Sequence, residues 1–364
     1  MKFPKMSALV LALSTAGAAQ AAPFTAGNLL IERIGTGASA LTSAATAVFV
    51  DEYTTSGTLV QSVALPTSGA NQTTTSGTAT SEGLVNLSTN GSTLLVPGYS
   101  AAVGTTSIAG TTAAAAPREA TQVSLNGTVT GSTTFGTLLS GNNVRSAASV
   151  DGVNIYASGA NGIVYAPAGG SAVSINSTNT RDLEIAGGQL YYSTGSGTQG
   201  IYALGNGLPT AAGATGSLIA AVTNPYAFYF ADLSSSVAGL DTLFVAVDTT
   251  TASTSGLFKF TKSAAGTWSA SGSITGTVLR GLTATVNNGQ AQLFATNDSK
   301  LFGFADAGYG TTLTGALTTL ATASANTAFR GLDVTAAVPE PSSYAIALAG
   351  LAVAGLVARR RKAA

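Results

Sequence analysis

The amino-acid sequence predicts an all-β protein, and three observations support this fold class. Short runs of β-branched and aromatic residues alternate with turns rich in Gly, Asn, Asp and Ser. Helical periodicity is scarce between the two ends of the chain. Of the 364 residues, 45% are hydrophobic and only 8% are charged, against about 25% charged in an average soluble domain. Because the formal net charge is zero and the hydrophobic content is high, the composition argues against a disordered chain.

Four runs show the strand pattern most clearly, and turn dipeptides punctuate the chain around them. The predicted strands cover residues 47–53, 58–65, 242–247 and 256–260. Turn dipeptides typical of two-residue hairpins occur at Asn90-Gly91, Asn126-Gly127, Asp151-Gly152 and Asn161-Gly162. Such pairs can place both central residues at positive φ, so they predict type I′ hairpins.

A repeated segment runs through the body of the chain. Its copies start near residues 82, 145, 181, 227, 280 and 330. Three of the copies begin with an arginine that leads through an apolar strand to a Tyr or Phe, and Arg330-Gly331-Leu332 repeats the start of Arg280-Gly281-Leu282. The starts lie 36 to 63 residues apart, which is typical of the four-stranded blades of a β-propeller.

The two ends of the body are predicted to complete one blade together. The last copy has a single strand, residues 329–334, whereas the N-terminal part supplies three strands without an opening copy: 28–33, 48–53 and 58–65. Joining them closes a ring, which leaves no long exposed edge in a protein with few charges. The sequence therefore predicts a β-propeller of six four-stranded blades. Rings of five or seven blades and an elongated parallel β-solenoid are the alternatives.

The N-terminus has the pattern of a secretory signal peptide. Lys2 and Lys5 precede the apolar run 6–13, and the small residues Ala19 and Ala21 form a signal peptidase site. We therefore expect residues 1–21 to be removed during export by the secretion machinery, so that the mature chain begins at Ala22.

The C-terminus has three parts in a fixed order. Pro339, Glu340 and Pro341 are followed by the uncharged segment 344–358 and then by a basic cap of Arg359, Arg360, Arg361 and Lys362. A helix over fifteen residues is about 22 Å long, which is marginal for the roughly 30 Å hydrocarbon core of a bilayer. Snorkelling arginines extend it, and the basic cap is expected to stay cytoplasmic, with the body on the far side of the inner membrane.

This ending resembles the PEP-CTERM sorting signal of Gram-negative bacteria. The resemblance implies recognition of Pro339, Glu340 and Pro341 by an exosortase, a membrane-embedded cysteine protease or transpeptidase that removes the tail. It also implies transfer of the body to the cell surface or extracellular matrix, typically in species that make exopolysaccharide and biofilm. The expected organisation is a signal peptide (1–21), a secreted body (22–337) and a sorting signal (338–364). A plain transmembrane anchor is the alternative, and the body resembles propeller-like cargo found among PEP-CTERM proteins.

The composition of the body argues against most catalytic classes. Without the two ends, the body has nine basic and 14 acidic residues, a net charge near −5, so it lacks the basic footprint of a nucleic-acid-binding protein. The chain has no cysteine and no histidine, and it lacks Asp-x-Asp-x-Asp-Gly calcium loops, so we expect no metal and no cofactor. Asp182 and Glu184 face the same side of a predicted strand, but acidic residues scattered over the body produce such a spacing by chance.

Four arginines recur at the opening of predicted inner strands: Arg145, Arg181, Arg280 and Arg330. Equivalent positions in a propeller lie on one face, so their guanidinium groups could form an anion site for an acidic polysaccharide. The alternative is a structural role in which each arginine pairs with a carboxylate or carbonyl of the neighbouring blade. We expect a non-enzymatic, exosortase-sorted surface or matrix protein. A carbohydrate-binding module is the second possibility, and a polysaccharide-active enzyme is the third.

Overall fold

The computed structural model describes residues 21–335, which form antiparallel β-structure with two short 3₁₀ helices, Ile108–Gly110 and Ala252–Thr254. Among these residues, no helix is long and apolar enough to cross a membrane. The predicted signal peptide (apart from Ala21), the sorting motif, the helix over 344–358 and the basic cap lie outside the described residues. They remain predictions from the sequence.

Twenty-five strands run through the described residues. The first eight are β1 (Leu29–Ile34), β2 (Ala45–Tyr53), β3 (Leu59–Ala64), β4 (Thr74–Ser76), β5 (Asn86–Leu87), β6 (Thr93–Tyr99), β7 (Arg118–Ser124) and β8 (Val129–Thr134). The next eight are β9 (Val144–Ser149), β10 (Ile155–Gly159), β11 (Gly162–Ala166), β12 (Val173–Asn176), β13 (Leu183–Ala186), β14 (Gln189–Thr194), β15 (Gly200–Leu204) and β16 (Gly216–Ala221). The last nine are β17 (Pro225–Ala231), β18 (Thr242–Val247), β19 (Gly256–Lys262), β20 (Trp268–Thr275), β21 (Gly281–Asn287), β22 (Gln290–Thr296), β23 (Lys300–Asp306), β24 (Thr318–Thr322) and β25 (Ala328–Val334).

Four separate sheets contain four strands each, in chain order. They are sheet III (β9–β12), sheet IV (β13–β16), sheet V (β17–β20) and sheet VI (β21–β24). Every pair of strands named above is antiparallel. The alternative of a parallel β-solenoid is therefore wrong, because its coils would pair strands in parallel.

The remaining nine strands, β1 to β8 and β25, form one continuous sheet, which we divide into sheets I and II. Sheet I runs in the order β25-β1-β2-β3, and sheet II contains β5 to β8, with β4 bridging β2 and β6. In sheet I, the C-terminal strand pairs with the N-terminal one, so that Val334 lies opposite Leu29 and Ala328 opposite Ile34. The joining of the two chain ends in one sheet is thus present as the sequence predicts.

In each sheet, we call the strand at one edge the first strand; for sheet I this is β25, which precedes β1 in the order of the sheet. The predicted starts of the repeated segment fall within four residues of these first strands: β5, β9, β13, β17, β21 and β25. The predicted type I′ turns are wrong, because only the glycine of each dipeptide has positive φ. At Asn126-Gly127, for example, Gly127 has a φ of 72° and its N–H donates to the Ser124 carbonyl at 2.9 Å. This geometry is that of a type I turn followed by a glycine bulge, which also suits antiparallel strands.

The hydrophobic core is divided into six clusters, and each cluster fills the space between two neighbouring sheets. The clusters join sheets I and II, II and III, III and IV, IV and V, V and VI, and VI and I. The last of them packs Phe294 of sheet VI against Leu29 and Phe329 of sheet I. Each fully buried side chain of this size contributes about 1.5–3 kcal/mol, so every interface between sheets has its own driving force.

Candidate functional site

A small cavity lies where the first strands of all six sheets meet. Its volume is about 100 Å³. Each first strand contributes two adjacent residues to its wall: Asn86 and Leu87, Ala148 and Ser149, Glu184 and Ile185, Phe228 and Tyr229, Leu282 and Thr283, and Leu332 and Asp333. We call it the central cavity. A cavity of this size and polarity can hold several water molecules or a small polar solute.

The central cavity has an acidic side chain with one oxygen atom that lacks a hydrogen-bond partner. Glu184 lies on β13, and its Oε2 atom is buried without a hydrogen-bond partner among the described residues. Burial, and next the charge of Asp182, raise the pKa of Glu184 well above its usual value. A raised pKa favours the protonated form, in which the side chain can donate a hydrogen bond into the cavity.

Two aspartates near Glu184, Asp182 and Asp333, accept hydrogen bonds from residues of other sheets. Asp182 accepts from the Ser146 hydroxyl at 2.7 Å and from the backbone N–H of Leu183 at 2.9 Å, and burial raises its pKa to about 7. Asp333 accepts from the backbone N–H of Leu87 at 2.7 Å and from the Thr283 hydroxyl at 2.9 Å, which ties β25 to β5 and β21. Burial raises the pKa of Asp333 as well. These contacts give both aspartates a structural role.

Two further polar side chains from different sheets line the central cavity. The Asn86 amide donates to the Ser146 hydroxyl, the Ala147 carbonyl and the Leu183 carbonyl at 3.1, 2.9 and 3.1 Å, which connects sheets II, III and IV. Burial, followed by the charges of Glu184 and Asp333, raises the pKa of Tyr229, so its hydroxyl stays protonated. Within residues 21–335, no group of three or more acidic side chains is placed to hold a metal ion.

Three cavity residues, Asp333, Thr283 and Tyr229, are not predicted from the sequence to line a site. A signal for two of them is present in the repeated segment, because the third residue after Arg280 and Arg330 points into the cavity. Glu184 stands at the same place after Arg181. The spacing of Asp182 and Glu184 is thus part of the repeat, although only Glu184 lines the wall.

Two of the four recurring arginines bind uncharged groups of the next sheet. Arg145 donates to the Asn179 side-chain oxygen at 2.5 Å and to the Thr180 carbonyl at 3.0 Å, both just before β13. Burial lowers the pKa of Arg145 to about 10. Arg181 donates to the Asn224 side-chain oxygen at 2.9 Å, and its guanidinium lies 4.1 Å from the centre of the Tyr226 ring.

The other two arginines share a carboxylate. Arg280 contacts Asp248 at 2.8 Å and Asp298 at 2.6 Å, and Arg330 contacts the second oxygen of Asp298. Burial lowers the pKa of Arg330, whose guanidinium is almost fully enclosed. All four arginines therefore reach residues of a neighbouring sheet, which is the arrangement expected of their structural alternative.

Comparisons with known proteins concern the two regions separately. The body resembles a gluconolactonase from Xanthomonas campestris, with 16% identity, a TM-score of 0.42 and coverage of 85% of this chain and 91% of that chain. It also resembles a periplasmic gluconolactonase from Pseudomonas aeruginosa, with 11% identity, a TM-score of 0.42 and coverage of 82% and 83%. No curated protein sequence matches the chain. Residues 337–362 match the PEP-CTERM protein-sorting motif, so the chain carries this motif, which implies export and exosortase-dependent sorting.

Proposed function

We propose that the chain is a non-enzymatic, exosortase-sorted protein of the cell surface or extracellular matrix, with a six-bladed β-propeller as its body. The six sheets and the six clusters between them support this blade number, because each sheet packs against the next and sheet VI packs against sheet I. The pairing of β25 with β1 supports closure of the ring by both chain ends.

The position of the sorting motif carries the proposal. The backbone of Thr335 is held by Asn28 and Gly27 at 2.9 and 3.0 Å, and the motif begins at residue 337. In the sequence, a single residue thus separates the end of the folded body from the motif. In our proposal, segment 344–358 retains the exported protein in the inner membrane until an exosortase removes the tail, with Pro339, Glu340 and Pro341 as the recognised residues.

The chemistry of the ring supports a non-enzymatic role. The chain has neither histidine nor cysteine, which are the commonest catalytic bases and the strongest nucleophiles. Asp182 and Asp333 are engaged in structural hydrogen bonds, and the four recurring arginines bind neighbouring sheets. The proposed link to exopolysaccharide and biofilm rests on the resemblance of the tail alone.

The proposal is tested by replacing Pro339, Glu340 and Pro341 with alanine and fractionating the cells. We expect the variant to accumulate in the inner membrane, because the apolar segment and the basic cap are unchanged. A matched control replaces Ser342 and Ser343 with alanine and should be released like the wild type. Unchanged surface release of the motif variant would overturn the proposal and leave a plain membrane anchor.

Carbohydrate binding is a second candidate function, and the central cavity favours it. The Tyr229 hydroxyl and the Glu184 carboxyl, whose protonated form burial favours, are the kinds of group that bind sugar hydroxyls. Full-length protein in detergent should then be retained by immobilised polysaccharide, and Glu184→Gln should weaken the retention. Equal retention of both proteins, or none, would remove this candidate.

A further inference from the structure

The strand that leads to the sorting motif finishes at one end of the ring, which we call the exit end. In sheet I, Val334 lies opposite Leu29, Leu29 lies opposite Tyr53, and Tyr53 lies opposite Leu59. These four residues form a row across the sheet from its inner to its outer strand. The turn between β2 and β3, which begins at residue 54, therefore projects from the exit end.

The other sheets have their equivalent turns at the same end. Four of the six first strands, β9, β13, β21 and β25, begin at or within two residues of a recurring arginine. The start of β17 lies at the same end, because Arg181 donates to the Pro225 carbonyl at 3.2 Å. All of these strands then line the central cavity, so they run in one direction. A parallel bridge between Leu84 and Ser146 shows this for sheets II and III. The turns that follow the first and third strands of these sheets consequently project from the exit end.

Exposed hydrophobic side chains are concentrated at the exit end. Six of the eight large ones among the described residues lie on its turns or beside them: Leu59, Val60, Val150, Val153, Val173 and Val286. Val103 lies at the opposite end, where its loop donates a hydrogen bond from Gly104 to the first residue of β2. Surface hydrophobic residues are unremarkable when they are scattered over a whole protein. Their concentration at one end sets these six apart.

The turns of the exit end carry almost no charge. Eleven turns connect strands there, and their charged residues are three aspartates. Asp241 is buried and accepts backbone N–H bonds of its own loop, and Asp151 does the same in its turn, accepting from Val153 and Asn154 at 2.9 and 2.8 Å. Only Asp232 stays exposed, so anionic lipid headgroups would meet little repulsion.

The tail limits how far the exit end can move from a membrane. Eight residues separate Thr335 from Tyr344, so even a fully extended connection spans only about 30 Å. A tether of this length keeps the local concentration of the surface near the bilayer high, and weak contacts then suffice to orient the body. We propose that the exit end is a lipid-facing surface that lies against the bilayer while the tail is uncut. This inference rests on the proposed membrane retention before processing.

Single cysteines provide a direct test, because the chain has none of its own. Val153→Cys places a fluorophore at the exit end, and Val103→Cys places it at the opposite end. The two native side chains are matched in exposure, at 51% and 52%. Each labelled full-length protein is reconstituted into vesicles of phosphatidylethanolamine and phosphatidylglycerol that carry a nitroxide on the lipid headgroup. A water-soluble quencher, applied in detergent, checks that both labels are equally accessible without a bilayer.

We expect the nitroxide lipid to quench the label at position 153 severalfold more than the label at position 103. Equal quenching, no quenching or the reverse order in protein that floats with the vesicles would overturn the inference. Self-quenching of the position 153 label without nitroxide lipid would also overturn it, because the exit end would then contact a second copy. Protein that does not float would instead overturn the proposed retention, so the two failures are distinguishable.

Discussion

The ammonium group of Lys259 lies 2.9 Å from both carboxylate oxygens of Asp306, and this ion pair connects sheet V to sheet VI. The ammonium also donates to the carbonyls of Gly308 and Thr311 at 2.7 and 2.9 Å. Lys259 is fully buried on β19, and no residue of the sequence around it indicates a partner 47 positions away. A buried charge with this number of acceptors is stable only while all of them stay in place.

Removal of the Lys259 charge is predicted to destabilise the fold strongly. Lys259→Met leaves Asp306 buried without its cation, and we expect the free energy of unfolding to fall by about 3–5 kcal/mol. Lys262→Met on the same strand is the control. Its ammonium donates to one carbonyl, that of Ala238, so we expect a loss of about 1 kcal/mol or less. Equal losses in urea titrations of the two variants would contradict this prediction.

Glu32 is predicted to make the stability of the fold dependent on pH. It is fully buried on β1, and neither carboxylate oxygen has a hydrogen-bond partner among the described residues. Burial raises the pKa of Glu32 from 4.5 to about 8, although the nearby charge of Arg330 opposes this shift. Between these two values, the folded state keeps a proton that the unfolded state has lost. Unfolding is therefore favoured progressively as the pH rises from about 4.5 to about 8, and the effect levels off above that.

Glu32→Gln should remove this dependence, because glutamine has a similar shape and does not titrate. Each unit of pKa difference corresponds to about 1.4 kcal/mol. We expect the variant to gain about 1–3 kcal/mol of unfolding free energy over the wild type at pH 7.5 and almost nothing at pH 4. Urea titrations at several pH values measure this difference, and a difference that does not change with pH would rule out titration of Glu32 as its cause.

Arg181 is predicted to fix sheet IV to sheet V. Arg181→Ala removes its contacts with Asn224 and the Tyr226 ring, so we expect the unfolding free energy to fall by about 1–3 kcal/mol. Arg181→Lys should recover only part of this loss, because an ammonium lacks the planar fork that bonds and stacks at once. Unchanged stability together with weaker binding to an acidic polysaccharide would instead identify Arg181 as part of an anion site.

Closure of the ring predicts that the N-terminal strands are indispensable. Deletion of residues 22–65 removes β1 to β3 and leaves β25 without a partner, so we expect the remaining body to unfold as a whole. The control is a permuted chain that joins Thr335 to Gly27, whose N–H donates to the Thr335 carbonyl at 3.0 Å, and opens in the Ser263–Thr267 turn. It retains every strand and should stay folded by circular dichroism. Undiminished thermal stability of the deletion variant would argue against shared closure.

The predicted positions of the strands agree closely with the structure. The partners of the charged residues, in contrast, could not be predicted from the sequence. The run 242–247 is β18 to the residue, and the joining of β25 to β1 follows from an incomplete last copy of the repeat. The turn type at Asn126-Gly127 was wrong, because both hairpin geometries use the same dipeptide. The spacing of Asp182 and Glu184 is one that chance alone can produce, but the second of these residues lines the central cavity.

Alternating apolar residues and recurring arginines are local patterns, so the sequence determines the strands and the repeat without reference to distant contacts. The sorting motif is equally local, and the signal peptide stays a prediction of the same kind. Tertiary packing decides which partner each charged side chain has and how far its pKa is shifted. Asp306 lies 47 positions from Lys259, and Asp298 is shared by two arginines that approach it from different sheets. No neighbour in the sequence marks Glu32 as a buried acid, and the place of Glu184 in the repeat does not show that its side chain is desolvated. Their raised pKa values follow mainly from desolvation, which exists only after the sheets have packed around them.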